Sequence, residues 1–347
     1  MIKAGIIGVT GYTGAELLRL LHSHHKVEIV KVASRSNSGN QVSDNHYHLL
    51  KAIDLVEQDL SDLPAFAEGL DVVFLALPHG TASEVVAEIA GKVRIVDLSA
   101  DFRIRSLETY KKWYGVEHSC PELIEGAAYG LPEIYREQIK LAPIVANPGC
   151  YPTSIILGLY PLLKEGLLNS SAVIIADSKS GVSGAGKKAA DHTHFPEINE
   201  NFYAYNPGKH RHTPEIKQEL TEAGQLSDLP LIFSPHLVPM SRGILSTIYA
   251  ELQKEITLEE IYDLYDSYYQ QEDFVRVRRD RLPQTKLVAG SNYCDIGFAL
   301  TQETNRLIIV SAIDNLMRGA SGQAVMNMNI MFGLPEKTGI DFLPVYP

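Results

Sequence analysis

Residues 4–22, AGIIGVTGYTGAELLRLLH, run an apolar stretch into three spaced glycines and then into a helical leucine pattern. An apolar run without polar alternation is a strand buried on both faces, and a glycine turn that feeds a helix directly makes the first arm of a strand–helix–strand unit. The theme recurs in EIVKVAS, DVVFLALP, the helical ASEVVAEIAG, RIVDLS and APIVANPG. Buried strands separated by helices imply a parallel sheet covered on both sides, so the first domain is expected to be Rossmann-like, a doubly wound α/β layer structure closing near residue 148.

Beyond that point the texture changes. A helix, PTSIILGLYPLLKEG, leads into strand-like SAVIIADSKSG, LIFSPHLVPM and GILSTIYAEL, then the helical LEEIYDLYDSYYQQ and the alternating RLIIVSAID. This pattern predicts an α+β domain on a mixed sheet. Near the end, GASGQAVMNMNIMFGL is helical, small and apolar, and is expected to return to the first domain. The division is therefore 1–148 with about 316–347 for the first domain, and 149–315 for the second.

A length of 347 residues suits two domains that fold without staples. No apolar run approaches the roughly 18 residues of a membrane span, and the N-terminus lacks a signal-peptide pattern, so no membrane partner and a cytoplasmic location are expected. A net charge of −11 argues against nucleic acid as a partner. Cys120, Cys150 and Cys294 are widely separated, which speaks against a disulfide framework or zinc knuckle.

Gly8, Gly11 and Gly14, with Thr10, Tyr12 and Thr13 between them, form a GxxGxxG turn at the mouth of a helix. Glycine lets the chain turn sharply and lets a pyrophosphate reach backbone N–H groups at the helix N-terminus. At the end of the second strand, where an NAD enzyme usually offers a carboxylate to the ribose, the chain has Ser34, Arg35 and Ser36. A carboxylate repels a 2′-phosphate and an arginine pairs with it, so NADP is the expected cofactor.

In ANPGCYPTS (146–154) the Pro148–Gly149 turn re-aims the chain and Pro152 suits the first helical position. Cys150 then sits just before a helix N-terminus, where partial positive charge favours the thiolate. A thiol nucleophile needs a proton partner, and GKHRHTPEI offers His210 and His212, two residues apart. In an extended segment both would share a face with Arg211 pointing away, and Glu215 can orient one of them. The residues leave open which histidine carries the proton. Histidine pairs at His192/His194 and His210/His212 also permit a zinc reading, but no ligand cysteine or HExxH pattern accompanies them and no metal is expected.

With these features in place, the chain resembles the N-acetyl-γ-glutamyl-phosphate reductases, NADP-dependent enzymes of arginine biosynthesis. The resemblance runs nearly end to end, through GVTGYTGAEL, LALPHG, VDLSADFR, YGLPE, NPGCYPT, SGVSGAG, KHRHTPEI, PHLVPMSRGI and DNLMRGASGQA. It implies a nucleophile at Cys150 and an acid–base histidine within KHRH. It also implies nicotinamide contacts from Ser180, Gly181, Ser183 and Gly184 of SGVSGAG and from Asn315. The chemistry implied is attack of the thiolate on an acyl phosphate, hydride reduction of the thioester and release of the semialdehyde. An anionic small-molecule substrate calls for arginines, and Arg103 and Arg242 are the candidates, with Asn147 beside the thiol as a further contact. The first domain, 1–148 with about 316–347, is then expected to bind NADP and the second, 149–315, to serve catalysis and dimerisation, in a homo-oligomer, dimer or tetramer. Reductases of aspartyl phosphate or of carrier-bound aminoadipyl phosphate share this chemistry, and a Cys–His hydrolase would share the dyad without the hydride.

Overall fold

Seven short apolar strands, β1 (Ile2–Ile7), β2 (Val27–Ala33), β3 (Glu57–Gln58), β4 (Val72–Leu75), β5 (Arg94–Asp97), β6 (Ala127–Tyr129) and β7 (Ile144–Ala146), form one parallel sheet in the order β3-β2-β1-β4-β5-β7-β6. The computed structural model describes residues 1–35 and 37–347, the side chain of Gln302 excepted. The chain divides into two compact units, Met1–Pro148 with Ala320–Asp341, and Gly149–Gly319 with Phe342–Pro347. The sequence reading assigned the whole tail from about 316 to the nucleotide domain. Here residues 316–319 and the last six lie in the second unit, where Val345 N–H donates to the Ala289 carbonyl at 2.8 Å.

In the first unit one sheet face presents Ile7, Val73, Leu75 and Ile95 to the helices Leu63–Ala67 and Ala82–Ile89. The opposite face is covered by the helix Tyr12–His22 and by the helix Gly322–Met331, which returns from the end of the chain. All ten residues of the returning helix are buried. A helix enclosed on every side loses the amphipathic pattern, which accounts for its uniform small and apolar sequence. Its few polar side chains all bond backbone: Gln323 Nε2 and Asn327 Nδ2 donate to the Gly130 carbonyl at 2.6 and 2.9 Å, Asn329 Nδ2 donates to the carbonyls of Glu336 and Thr338, and Asn327 and Asn329 also meet the side chains of Asn147 and His24. Because β2 and β4 flank β1 on opposite sides, the strand order reverses there, and open sheets of this kind bind ligands at that reversal.

The second unit holds a mixed sheet of β8 (Ile174–Gly181), β9 (Tyr203–Ala204), β10 (Leu231–Val238), β11 (Ile244–Glu251), β12 (Val275–Val277), β13 (Cys294–Thr301) and β14 (Arg306–Ile313) in the order β12-β13-β14-β11-β8-β10-β9. Pairs β8/β10 and β12/β13 are parallel and the other four antiparallel. Residues along β8, β10 and β11 alternate between buried and part-exposed, so one face carries the helices and the other is open. The covering helix Cys150–Lys164 contains Pro161, which has no N–H to offer the Leu157 carbonyl four residues back. Tyr269, from the neighbouring helix Leu258–Tyr269, donates its hydroxyl to that carbonyl at 2.8 Å, and Tyr265 does the same for Gly158. Among the described residues no helix is long and apolar enough to cross a membrane.

Candidate active site

The thiol, both histidines and the glutamate lie together in the second unit. Cys150 is the first residue of its helix and Gly149 is the cap, two residues earlier than a start at Pro152 would give. Pro152 is therefore the third helical residue, where its missing N–H removes no bond because first-turn amides have no acceptor within the helix. Glu215, fully buried, accepts the Gly149 amide on Oε1 at 2.8 Å. Glu215 belongs to the helix His212–Ala223, so that helix is tied directly to the cap beside the thiol.

Gly149 has a second constraint. A Cβ on it would lie 2.6 Å from His212 Nε2 and 2.9 Å from both neighbouring ring carbons, so the His212 imidazole rests on the space that glycine leaves vacant. Gly319 does the same on another side: its Cβ would fall 2.7 Å from the Cβ of Cys150. The segment at Cys150 is thus gripped by two glycines, neither of which is marked out as functional by its sequence context.

The KHRH segment is not extended. Arg211 has helical angles (φ −61°, ψ −18°) and His212 opens the helix, so the shared face expected of an extended strand is absent. The turn nevertheless brings the two rings within 4.8 Å, with Arg211 exposed. Pro214 in the first turn of HTPEI is the signal that marks a helix start there. His210 lies among Tyr151, Tyr205 and Phe233, with ring centroids 5.3–5.6 Å away. Burial, helped by His212 and the Arg211 cation, pushes its pKa down to about 2, so the ring is neutral.

In the first unit, each glycine of the GxxGxxG turn has a distinct reason. Gly8 has φ +94°, and a Cβ there would strike the Ala76 carbonyl oxygen at 2.3 Å. Gly14 lets the helix close on the strand, its Cβ position being 2.5 Å from the Gly8 oxygen. Gly11 caps the helix Tyr12–His22 with ordinary angles, and nothing lies within 4 Å of its Cβ position. A glycine required by neither backbone nor packing, with open space before a helix N-terminus, fits the approach of a dinucleotide pyrophosphate. Thr10 and Thr13 are part-buried, Tyr12 is exposed, and the Thr13 carbonyl accepts the Ser321 hydroxyl at 2.9 Å. At the end of β2, Ser34 Oγ accepts the Asn37 amide, and Arg35 reaches Glu84 at 3.2 Å with both side chains exposed. Ser36, the third residue expected there, lies outside the described residues.

Several of the remaining candidates hold other parts of the chain. Arg103 is buried, and its Nε and Nη2 donate to the carbonyls of Asn147 and Leu98 at 2.7 and 2.8 Å. The Asn147 side chain donates to the Ala320 carbonyl and accepts from Asn327. Asn315 spends both ends of its amide, accepting the Gly243 N–H at 2.7 Å and donating to Ser183 Oγ at 2.9 Å. Gly181 permits a close backbone crossing, since its Cβ would meet Ser241, Arg242 and Met240 main chain within 2.9 Å. Ser180 is buried, whereas Ser183 is part-buried and Gly184 exposed at the tip of this turn. Arg242, only part-exposed, pairs with the buried carboxylate of Asp314 at 3.6 Å. Among the described residues no group of three or more His, Cys, Asp or Glu side chains is arranged to hold a metal.

The two units correspond to the two domains of the semialdehyde dehydrogenases. Their family models match both parts, the NAD binding domain over residues 3–142 and the dimerisation domain over 150–315. Solved structures share the fold. Aspartate semialdehyde dehydrogenase II from Vibrio cholerae, complexed with ASA, has a TM-score of 0.71 at 16% identity, covering 96% of this chain and 98% of that one. The Candida albicans aspartate semialdehyde dehydrogenase with NADP has a TM-score of 0.70 at 17% identity, covering 96% and 98%. Much nearer in sequence are N-acetyl-gamma-glutamyl-phosphate reductases from Pelotomaculum thermopropionicum, 52% identical over 100% of this chain and 99% of the relative, and from Desulforudis audaxviator, 52% identical over 100% of both. The chain belongs to the N-acetyl-gamma-glutamyl-phosphate reductase family.

Proposed function

We propose that the chain reduces N-acetyl-γ-glutamyl phosphate to N-acetylglutamate semialdehyde with NADPH, through a thioester on Cys150, with His212 as the proton carrier. The observation that carries this reading is the His212 ring seated on the bare α-carbon of Gly149, the cap of the helix that begins with Cys150. His212 takes the thiol proton as sulfur attacks the acyl carbon. The carbon–oxygen bond to phosphate breaks, and the proton passes from His212 to the departing phosphate oxygen. When bound, NADPH supplies the hydride that reduces the thioester. The carbon–sulfur bond then breaks to leave the aldehyde, the helix N-terminus favours the departing thiolate, and His212 relays a proton from solvent back to sulfur.

The turn at Gly8, Gly11 and Gly14 holds the pyrophosphate, and Arg35 selects NADP over NAD. Its exposed pair with Glu84 is worth only ~0–1 kcal/mol, so a 2′-phosphate can replace the carboxylate. Arg242, part-exposed, binds a substrate anion, while Arg103 and Asn147 shape the chain before the thiol. The family model for residues 150–315 is that of a dimerisation domain, and the open face of the mixed sheet is the surface we assign to pairing of two copies.

The test is the reverse reaction, with N-acetylglutamate semialdehyde, phosphate and NADP, following NADPH absorbance. Turnover that disappears in Cys150→Ser supports the reading. Activity with aspartate semialdehyde alone, or full turnover in Cys150→Ser, overturns it.

A further inference from the structure

The other histidine is held by a chain of hydroxyls. Tyr205 Oη donates to Tyr151 Oη at 3.1 Å, and Tyr151 Oη donates to the His236 carbonyl at 3.3 Å. On its near side Tyr205 Oη lies 3.5 Å from His210 Nε2, while His210 Nδ1 accepts the backbone N–H of His212 at 3.1 Å. Both ends of this chain are backbone groups, and neither can reverse its role, since an N–H only donates and a carbonyl only accepts. Each link between them then has one direction. The single proton of Tyr151 goes to the His236 carbonyl and that of Tyr205 goes to Tyr151, so the Tyr205 oxygen is left to accept from His210. The neutral ring carries its proton on Nε2.

We propose that Tyr205 and Tyr151 are positioning residues for the reaction: their hydroxyls fix His210 as the Nε2–H tautomer, which keeps Nδ1 as acceptor for the His212 amide and so holds the His212 imidazole on Gly149. The inference rests on the reading of His212 as proton carrier. It also explains why His210 is unsuited to that role, because giving up its proton would break the chain at Tyr205. Burial raises both tyrosine hydroxyls above their ordinary range, so they stay protonated and the chain stays intact at neutral pH. Packing alone does not account for the hydroxyls, since phenylalanine would fill the same space without the cost of burying two polar groups.

The experiment uses the full chain with 15N-labelled histidine, His210 being assigned by the signal lost in His210→Asn. Ring nitrogen shifts should report a neutral His210 protonated on Nε2 in the unmodified protein and a mixture of tautomers in Tyr205→Phe. The same variant should lose about tenfold in kcat with KM for both substrates within about twofold, and Tyr151→Phe, one link further out, should lose less. A His210 protonated on Nδ1, or wild-type kcat in both tyrosine variants, overturns the proposal. His212→Asn separates the two layers. Loss of about 10²-fold or more in that variant, with both tyrosine variants silent, removes the relay and leaves the proton carrier standing. Full turnover in His212→Asn removes both.

Discussion

At Gly149 a missing side chain does more for the site than most present ones. Its amide is fastened by Glu215 and its open α-carbon receives the His212 ring, so one position sets both the start of the Cys150 helix and the place of the His212 imidazole. Gly149→Ala should leave the fold nearly intact, because φ −66° and ψ 155° are ordinary for alanine, yet it must displace an imidazole that would sit 2.6 Å away. Loss of a positioned acid–base group predicts a fall of about 10²-fold or more in kcat, read by the NADPH assay beside an unchanged circular dichroism spectrum. Arg35 carries a second residue-level expectation. In Arg35→Ala the KM for NADPH should rise about tenfold while the value for NADH stays put, since only NADPH brings the 2′-phosphate. An equal rise for both cofactors would place Arg35 outside the 2′-phosphate site.

At the level of elements, the strand–turn–helix at the N-terminus separates glycines that the backbone and packing require from one that they do not. Gly8→Ala forces an alanine to φ +94° against the Ala76 carbonyl and should destabilise the protein by about 1–3 kcal/mol or more in urea denaturation. Gly11→Ala meets no atom within 4 Å and should leave stability within ~0.5 kcal/mol, while weakening NADPH in a binding titration. Equal effects of the two substitutions would contradict the division of roles. The buried-strand pattern, this turn and the helix start near Cys150 were legible in the sequence because their determinants are neighbours along the chain. The histidine turn was misread as extended, since Arg211 offers no local signal against it and the one available, Pro214, lies past the pair. Arg103, Asn147 and Asn315 show the deeper limit. The Asn147 amide is spent on Ala320 and Asn327, 173 and 180 residues away, and the Asn315 amide on Gly243 and Ser183, 72 and 132 away. Nothing local distinguishes such a fastener from a ligand contact.

Across the whole molecule, the buried carboxyl Asp97 and the buried histidines respond to pH with opposite sign. Asp97, at the end of β5 in the first unit, is fully buried; burial and the neighbouring Asp101 push its pKa up to about 7 from 3.8, against hydrogen bonds from Ser99 and the charge of Arg103. The native state keeps a proton there that the unfolded chain releases above 3.8. Its stabilising contribution is therefore present below 3.8 and is lost progressively as pH rises through 7. His210, in the second unit, is the reverse case. Its pKa falls from 6.5 to about 2, so the unfolded chain binds a proton that the native state refuses, and the contribution present above 6.5 is lost as pH falls toward 2. His24 and His118, also lowered by burial, act in the first unit with the same sign as His210, so the first unit's own slope is a mixture. Comparison with a variant isolates a single group. Relative to Asp97→Asn, the unmodified protein should lose stability, by an amount on the order of a few kcal/mol, as pH is raised from 3.8 to 7 in chemical denaturation. Relative to His210→Asn, it should gain stability over the rise from 3.8 to 6.5. Parallel pH profiles for the Asp97 pair would mean that this carboxyl ionises in the folded protein as it does in the unfolded chain.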